Sequence, residues 1–144
     1  MAREFRSGNG RTWVSRVLIG LVLLDNLQAA VLFLFLPARI SPGFGLSGTA
    51  GNAVIQGIGL LFLMWCVPYF MATLDPRKHR ISFIESIAMQ TIALVGETIL
   101  LVLLPVRSSV LTSSVQRFLL FDGLGLVLLW AAAALLWLPG RKTR

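Results

Sequence analysis

Four apolar runs, each about 20 residues long, constrain this 144-residue chain more than any other feature. Inside a bilayer every backbone amide and carbonyl must be satisfied within its own segment, so such runs fold as helices. The expected spans cover about 13–36, 52–73, 83–104 and 114–138, joined by short polar connections. Consecutive spans with short links alternate in direction. The fold class is therefore all-α: an integral membrane four-helix bundle, up-down-up-down, forming one transmembrane domain over residues 1–144.

Composition agrees, with 56% hydrophobic and only 13% charged residues. The net charge of +7 does not point to nucleic acid, because the basic residues gather near the ends of the spans. Arg3, Arg6, Arg11 and Arg16, then Arg77, Lys78 and Arg80, then Arg141, Lys142 and Arg144 fall on one side; Arg39, Arg107 and Arg117 fall on the other. Basic residues stay on the cytoplasmic side. Both termini and the middle connection are therefore expected in the cytoplasm, and the bacterial inner membrane is the expected location. The first span is too long, and lacks the small-residue cleavage pattern, for a secretory leader.

The third span, SFIESIAMQTIALVGETILLVLLP, is the most informative. Ser82 and Glu85 have the spacing of a capping box, and Pro105 stops the helix because it lacks an amide hydrogen. Glu97 has no such structural task. Ser86, Gln90, Ala93 and Glu97 recur at helical spacing on one face. A charged side chain turned to lipid at the centre of a span costs about 3 kcal/mol on insertion scales. This stripe is accordingly expected to face other helices. Asp25, Asn26 and Gln28 interrupt the first span, Asn52, Gln56, Gly59, Leu63 and Cys66 share a face of the second, and Asp122 lies in the fourth.

At 1.5 Å per residue, Asp25 and Gln90 fall near mid-membrane, whereas Gln56, Glu97 and Asp122 lie roughly 22–26 Å from the cytoplasmic edge. Asp25, Asn26, Gln56, Gln90, Glu97 and Asp122 are thus the candidate ligand or proton site, a polar pocket in the outer half. Arg117 is placed to neutralise Asp122 or Glu97. The same groups can equally serve as interhelical hydrogen bonds that fix the bundle. Trp13, Trp65, Trp130, Trp137 and Tyr69 suit the headgroup boundary. Ser113 and Gln116 repeat the capping spacing before the fourth span. Residues 38–51 form a Gly/Ser/Pro loop whose Phe44 and Leu46 are expected to dip into the membrane interface, and residues 1–11 are expected to be frayed or to lie at the membrane surface.

A lone Cys66 excludes an internal disulfide or a CxxC site, and a lone His79 excludes bis-histidine haem ligation within one chain. No metal site and no cofactor is expected. GFGLSG at Gly43–Gly48 lacks the lysine of a phosphate loop, and a Ser-His-Asp assembly would need His79, which lies on the side opposite most of the acids.

The four-span plan with cytoplasmic termini resembles that of DoxX-like proteins, and Arg16–Gly20 (RVLIG) is similar to their first-helix start. Intramembrane acids also resemble a feature of the EXPERA sterol-isomerase and sigma-2-receptor group. Both likenesses are architectural and imply the bundle alone. The expected function is non-enzymatic: a subunit or accessory component of a larger membrane assembly, in contact with lipids and with other membrane chains or copies of itself, its pocket holding a lipid or quinone-like molecule. The alternative is a stand-alone ligand-binding or isomerase-like protein, or a small proton-coupled transporter, using Glu97 and Asp25.

Overall fold

The computed structural model describes residues 2–104 and 109–138. Four long helices form the bundle: α1 (Ala2–Phe35), α3 (Gly48–Leu74), α4 (Arg80–Leu103) and α5 (Ser109–Trp137). A short α2 (Pro37–Ile40) and a 3-10 turn (Ser41–Phe44) cross the end between α1 and α3. Each of the four contains a window long and apolar enough to cross a membrane. The protein is a small all-α four-helix membrane protein.

The helices stand in a ring, α1 beside α3, α3 beside α4, α4 beside α5, and α5 back beside α1. The end bearing α2 is called distal below, and the end bearing the α3–α4 turn proximal. The outward faces are apolar, with Leu24, Met64, Ile92, Val102 and Val127 all well exposed. That is the surface expected where the surrounding solvent is hydrocarbon.

Two apolar clusters fill the interior. The proximal one gathers Ile19, Val22, Ala72, Phe83, Ile87, Leu129 and Ala132. The distal one is aromatic: Phe33 meets Phe44, Phe62 and Phe118 edge-on at 5.7–6.1 Å between ring centres, and Phe62 stacks on Phe118 at 6.0 Å. Such pairs are worth about 1 kcal/mol beyond their buried area. Phe44 packs on Phe33 and Phe118 inside the bundle, and the 3-10 turn carrying it is held by hydrogen bonds from Ser114 Oγ to the Gly43 carbonyl and from Ser41 Oγ to Asn52 Oδ1. Gly45, at φ 67°, ends that turn in the left-handed region where only glycine is unstrained.

Lipid tails are as apolar as leucine, so helix association in a bilayer relies on close packing and polar ties. Both are present here. A Cβ on Gly59 would stand 3.0 Å from the Leu34 amide nitrogen and 3.0 Å from the Phe33 Cβ, so α3 rides directly on the α1 backbone. Ser15 Oγ donates to the Ala132 carbonyl at 3.1 Å, and Arg16 Nε donates to the Thr73 carbonyl at 2.8 Å. At the proximal rim Arg80 lies over the Trp137 ring, 5.5 Å from its centre.

Several local expectations are corrected. Residues 2–11 form the first turns of α1, which begins at Ala2. Helix α4 starts at Arg80 with no side-chain cap, which puts Ser82 inside the first turn, where its carbonyl accepts from Ser86 Oγ. Helix α5 starts at Ser109, and Ser113 Oγ bonds the Ser109 carbonyl within the same helix. The turn into α4 is built by Asp75 instead. Its Oδ1 accepts from the Lys78 amide at 3.1 Å and the Arg77 amide at 3.0 Å. Those amides, Lys78's foremost, hold the Asp75 carboxyl below the usual carboxylate range, helped by His79 and Arg16. Pro105, Arg107, Pro139, Gly140, Arg141, Lys142 and Arg144 lie outside the described residues.

Gly59→Val is expected to destabilise the bundle by about 1–3 kcal/mol, as overpacking does. Gly57→Ala, where a Cβ meets nothing within 4 Å, is expected to be neutral or slightly stabilising. Thermal unfolding of the two variants in one detergent checks the contrast.

Candidate functional site

Between the two apolar clusters lies a polar layer centred on Gln90, which is 1% exposed. Tyr69 Oη on α3 donates to Gln90 Oε1 at 2.5 Å and also approaches the Ser86 carbonyl at 3.0 Å. Gln90 Nε2 on α4 donates to Asp122 Oδ1 on α5 at 2.7 Å and to the Asp122 carbonyl at 3.3 Å. One amide therefore ties three helices, its oxygen facing the Tyr69 hydroxyl and its nitrogen the carboxyl and carbonyl of Asp122. The space it occupies exists because residue 125 is glycine: a Cβ there would fall 2.6 Å from Gln90 Nε2.

Glu97 lies two turns beyond Gln90 on α4, half-buried, with its carboxyl against that of Asp122. Its Oε2 is buried with no hydrogen-bond partner. Beside the pair is a cavity of about 200 Å³ walled by Phe44, Ile58, Phe62, Trp65 and Phe118.

The remaining candidates lie elsewhere. Asn26 is buried, its Nδ2 donating to the Val22 carbonyl of its own helix at 2.9 Å while Oδ1 is unsatisfied. Gln56 is exposed and ties α3 to the Leu34 carbonyl of α1 at 3.2 Å. Asp25 is exposed and does not join Glu97. It lines a separate groove of about 510 Å³ between α1 and α5, within the 300–1,000 Å³ typical of ligand sites. The groove's floor is Leu32, Phe33, Phe118 and Phe121, and its charged groups are Asp25, Arg39 and Arg117. Arg117 thus faces this groove rather than the Glu97–Asp122 pair. The structure brings Gln90, Glu97 and Asp122 together and resolves the expected single pocket into two hollows that share Phe44 and Phe118 as walls.

Four contributors went unassigned in the sequence. Tyr69 was expected at the headgroup boundary and is fully buried; it recurs in register with Phe62 and Cys66 on the buried face of α3. Gly125 is one turn from Asp122, which is the signal that a large polar side chain needs room opposite. Arg39 and Gln28 become groove residues only through the α2 crossing. Among the described residues no group of three or more His, Cys, Asp or Glu side chains could hold a metal ion. Compared with protein-family models, curated proteins and solved structures, the chain matches none.

Tyr69→Phe removes the donor to Gln90 Oε1 while keeping the ring. Because buried interhelical hydrogen bonds in membrane proteins average below 1 kcal/mol, a loss of about 0.5–1.5 kcal/mol is expected. Gly125→Ala is expected to cost more, since it displaces the amide from both partners. Unfolding in mixed micelles ranks the two.

Proposed function

We propose that this protein holds an amphipathic molecule, of lipid or quinone-like class, in the groove between α1 and α5. The observation that carries the reading is the groove's make-up: an aromatic and aliphatic floor with charged side chains at its edge, opening on the face of a membrane bundle. Ligand sites combine a mainly apolar lining with a few placed polar groups.

The setting we propose is a bacterial inner membrane, with the proximal end in the cytoplasm as the basic residues favour. The protein would act there as an accessory component beside other membrane chains. Helix α4 supports that role, since only 11% of its apolar window is buried inside the bundle against 28% for the other three.

Ala29 lies half-buried in the groove, and Ala29→Trp fills it without touching Gln90. The variant is expected to fold and to lose most of the amphipathic molecules that travel with the wild type through gentle purification. Native mass spectrometry reads both; retention unchanged from wild type would overturn the reading.

A second reading rests on a different observation, the unsatisfied Oε2 of Glu97 beside the aromatic cavity. There Glu97 exchanges a proton with a hydrophobic substrate, in isomerase-like or proton-coupled chemistry. Glu97→Gln keeps the shape and removes the proton. Under this reading substrate-linked proton uptake in vesicles falls by about 100-fold or more, and uptake equal to wild type would rule it out.

A further inference from the structure

We propose that the α1–α5 groove selects an amphiphile with an anionic head, a phosphate or carboxylate, seated between Arg39 and Arg117 with its chain lying toward Phe121. This rests on the binding reading above and adds the chemistry of the head and its direction. The groove carries two guanidinium groups and one carboxylate, so its balance is cationic. Among the described residues, no side chain forms an ion pair or hydrogen bond with Arg39, Arg117 or Asp25. Arginine presents a planar fork of donors matched to phosphate and carboxylate oxygens, and both of these are free to do so.

Position gives the direction. Arg39 is in α2, at the distal crossing. Arg117 is about 12 Å along α5 from its distal start, and its long side chain can reach outward to the interface. Asp25 is about 15 Å below the distal end of α1 and has a short side chain. The cations therefore line the distal lip and the carboxylate lies deeper. An anionic head is attracted at the lip and repelled from the interior, so only the apolar chain goes down. Leu32, Phe33, Phe118 and Phe121 provide the surface for it.

The test uses the full chain reconstituted in phosphatidylcholine containing a minor share of phosphatidylglycerol, re-extracted gently, with retained lipids read by native mass spectrometry. Wild type is expected to enrich phosphatidylglycerol about tenfold over its share, the effect of one charge-assisted contact of about 1.4 kcal/mol. Arg39→Gln and Arg117→Gln are each expected to reduce the enrichment and the double variant to abolish it, with total retained lipid unchanged. Asp25→Asn keeps it. Arg77→Gln, which removes an exposed cation at the opposite end, is the control for general attraction and is expected to change nothing.

Lipid retained at its bulk ratio overturns the headgroup assignment while leaving the binding reading intact. An equal loss of enrichment in Arg77→Gln also overturns it. If Ala29→Trp retains as much lipid as wild type, the groove is not the site and both inferences fail. A final arm replaces phosphatidylglycerol with inorganic phosphate: matching thermal stabilisation by the free ion assigns the arginines to a soluble anion and refutes the amphiphile.

Discussion

The Gln90 amide is the constraint on which this bundle depends. Buried among four helices in hydrocarbon, it has no water to fall back on, so each of its groups must meet a protein partner. Tyr69 and Asp122 supply them from the two neighbouring helices. The arrangement is directional, since the amide oxygen needs a donor and the amide nitrogen an acceptor. A slip of α4 by one residue against either neighbour would leave the oxygen or the nitrogen unpaired. Apolar packing alone tolerates such slips more readily, because lipid and leucine are nearly equivalent solvents. The polar layer thus fixes register, and the clusters of Phe83 and Leu129 on one side and Phe33 and Phe62 on the other fill in around it.

Glycine placement follows from the same requirement. Gly125 is the void into which Gln90 extends, and Gly59 lets α3 approach the α1 backbone closely enough for Gln56 to reach the Leu34 carbonyl. These two positions do unlike work, one making room for a side chain and the other for a main chain. Their common effect is close approach between helices, of α3 to α1 at Gly59 and of α5 to α4 at Gly125.

Much of the fold was legible in the sequence, because membrane spans are encoded by length and hydropathy, which are local properties. The four segments, their alternation and the inward stripe of Ser86, Gln90, Ala93 and Glu97 all follow from them. On α3 the face shared by Asn52, Gln56, Gly59, Leu63 and Cys66 is only partly the inner one. Gly59 and Cys66 are buried, together with Gly51, Ile55, Phe62 and Tyr69, whereas Gln56 and Leu63 are exposed. Polarity misleads there, because Gln56 can face outward and still satisfy its amide on a neighbouring carbonyl. The separation of Asp25 from Glu97 was not readable at all. Both lie at compatible depths, but rotation about each helix axis is set by partners distant in sequence. The groove itself depends on the α2 crossing, a tertiary feature that composition does not encode.

Phe44 and Phe118 line both the groove that carries Arg39 and Arg117 and the cavity beside the Glu97–Asp122 pair. Under the binding reading, an occupant that shifts Phe118 from the groove also reshapes the cavity beside Glu97, and any coupling between the two hollows would be reciprocal.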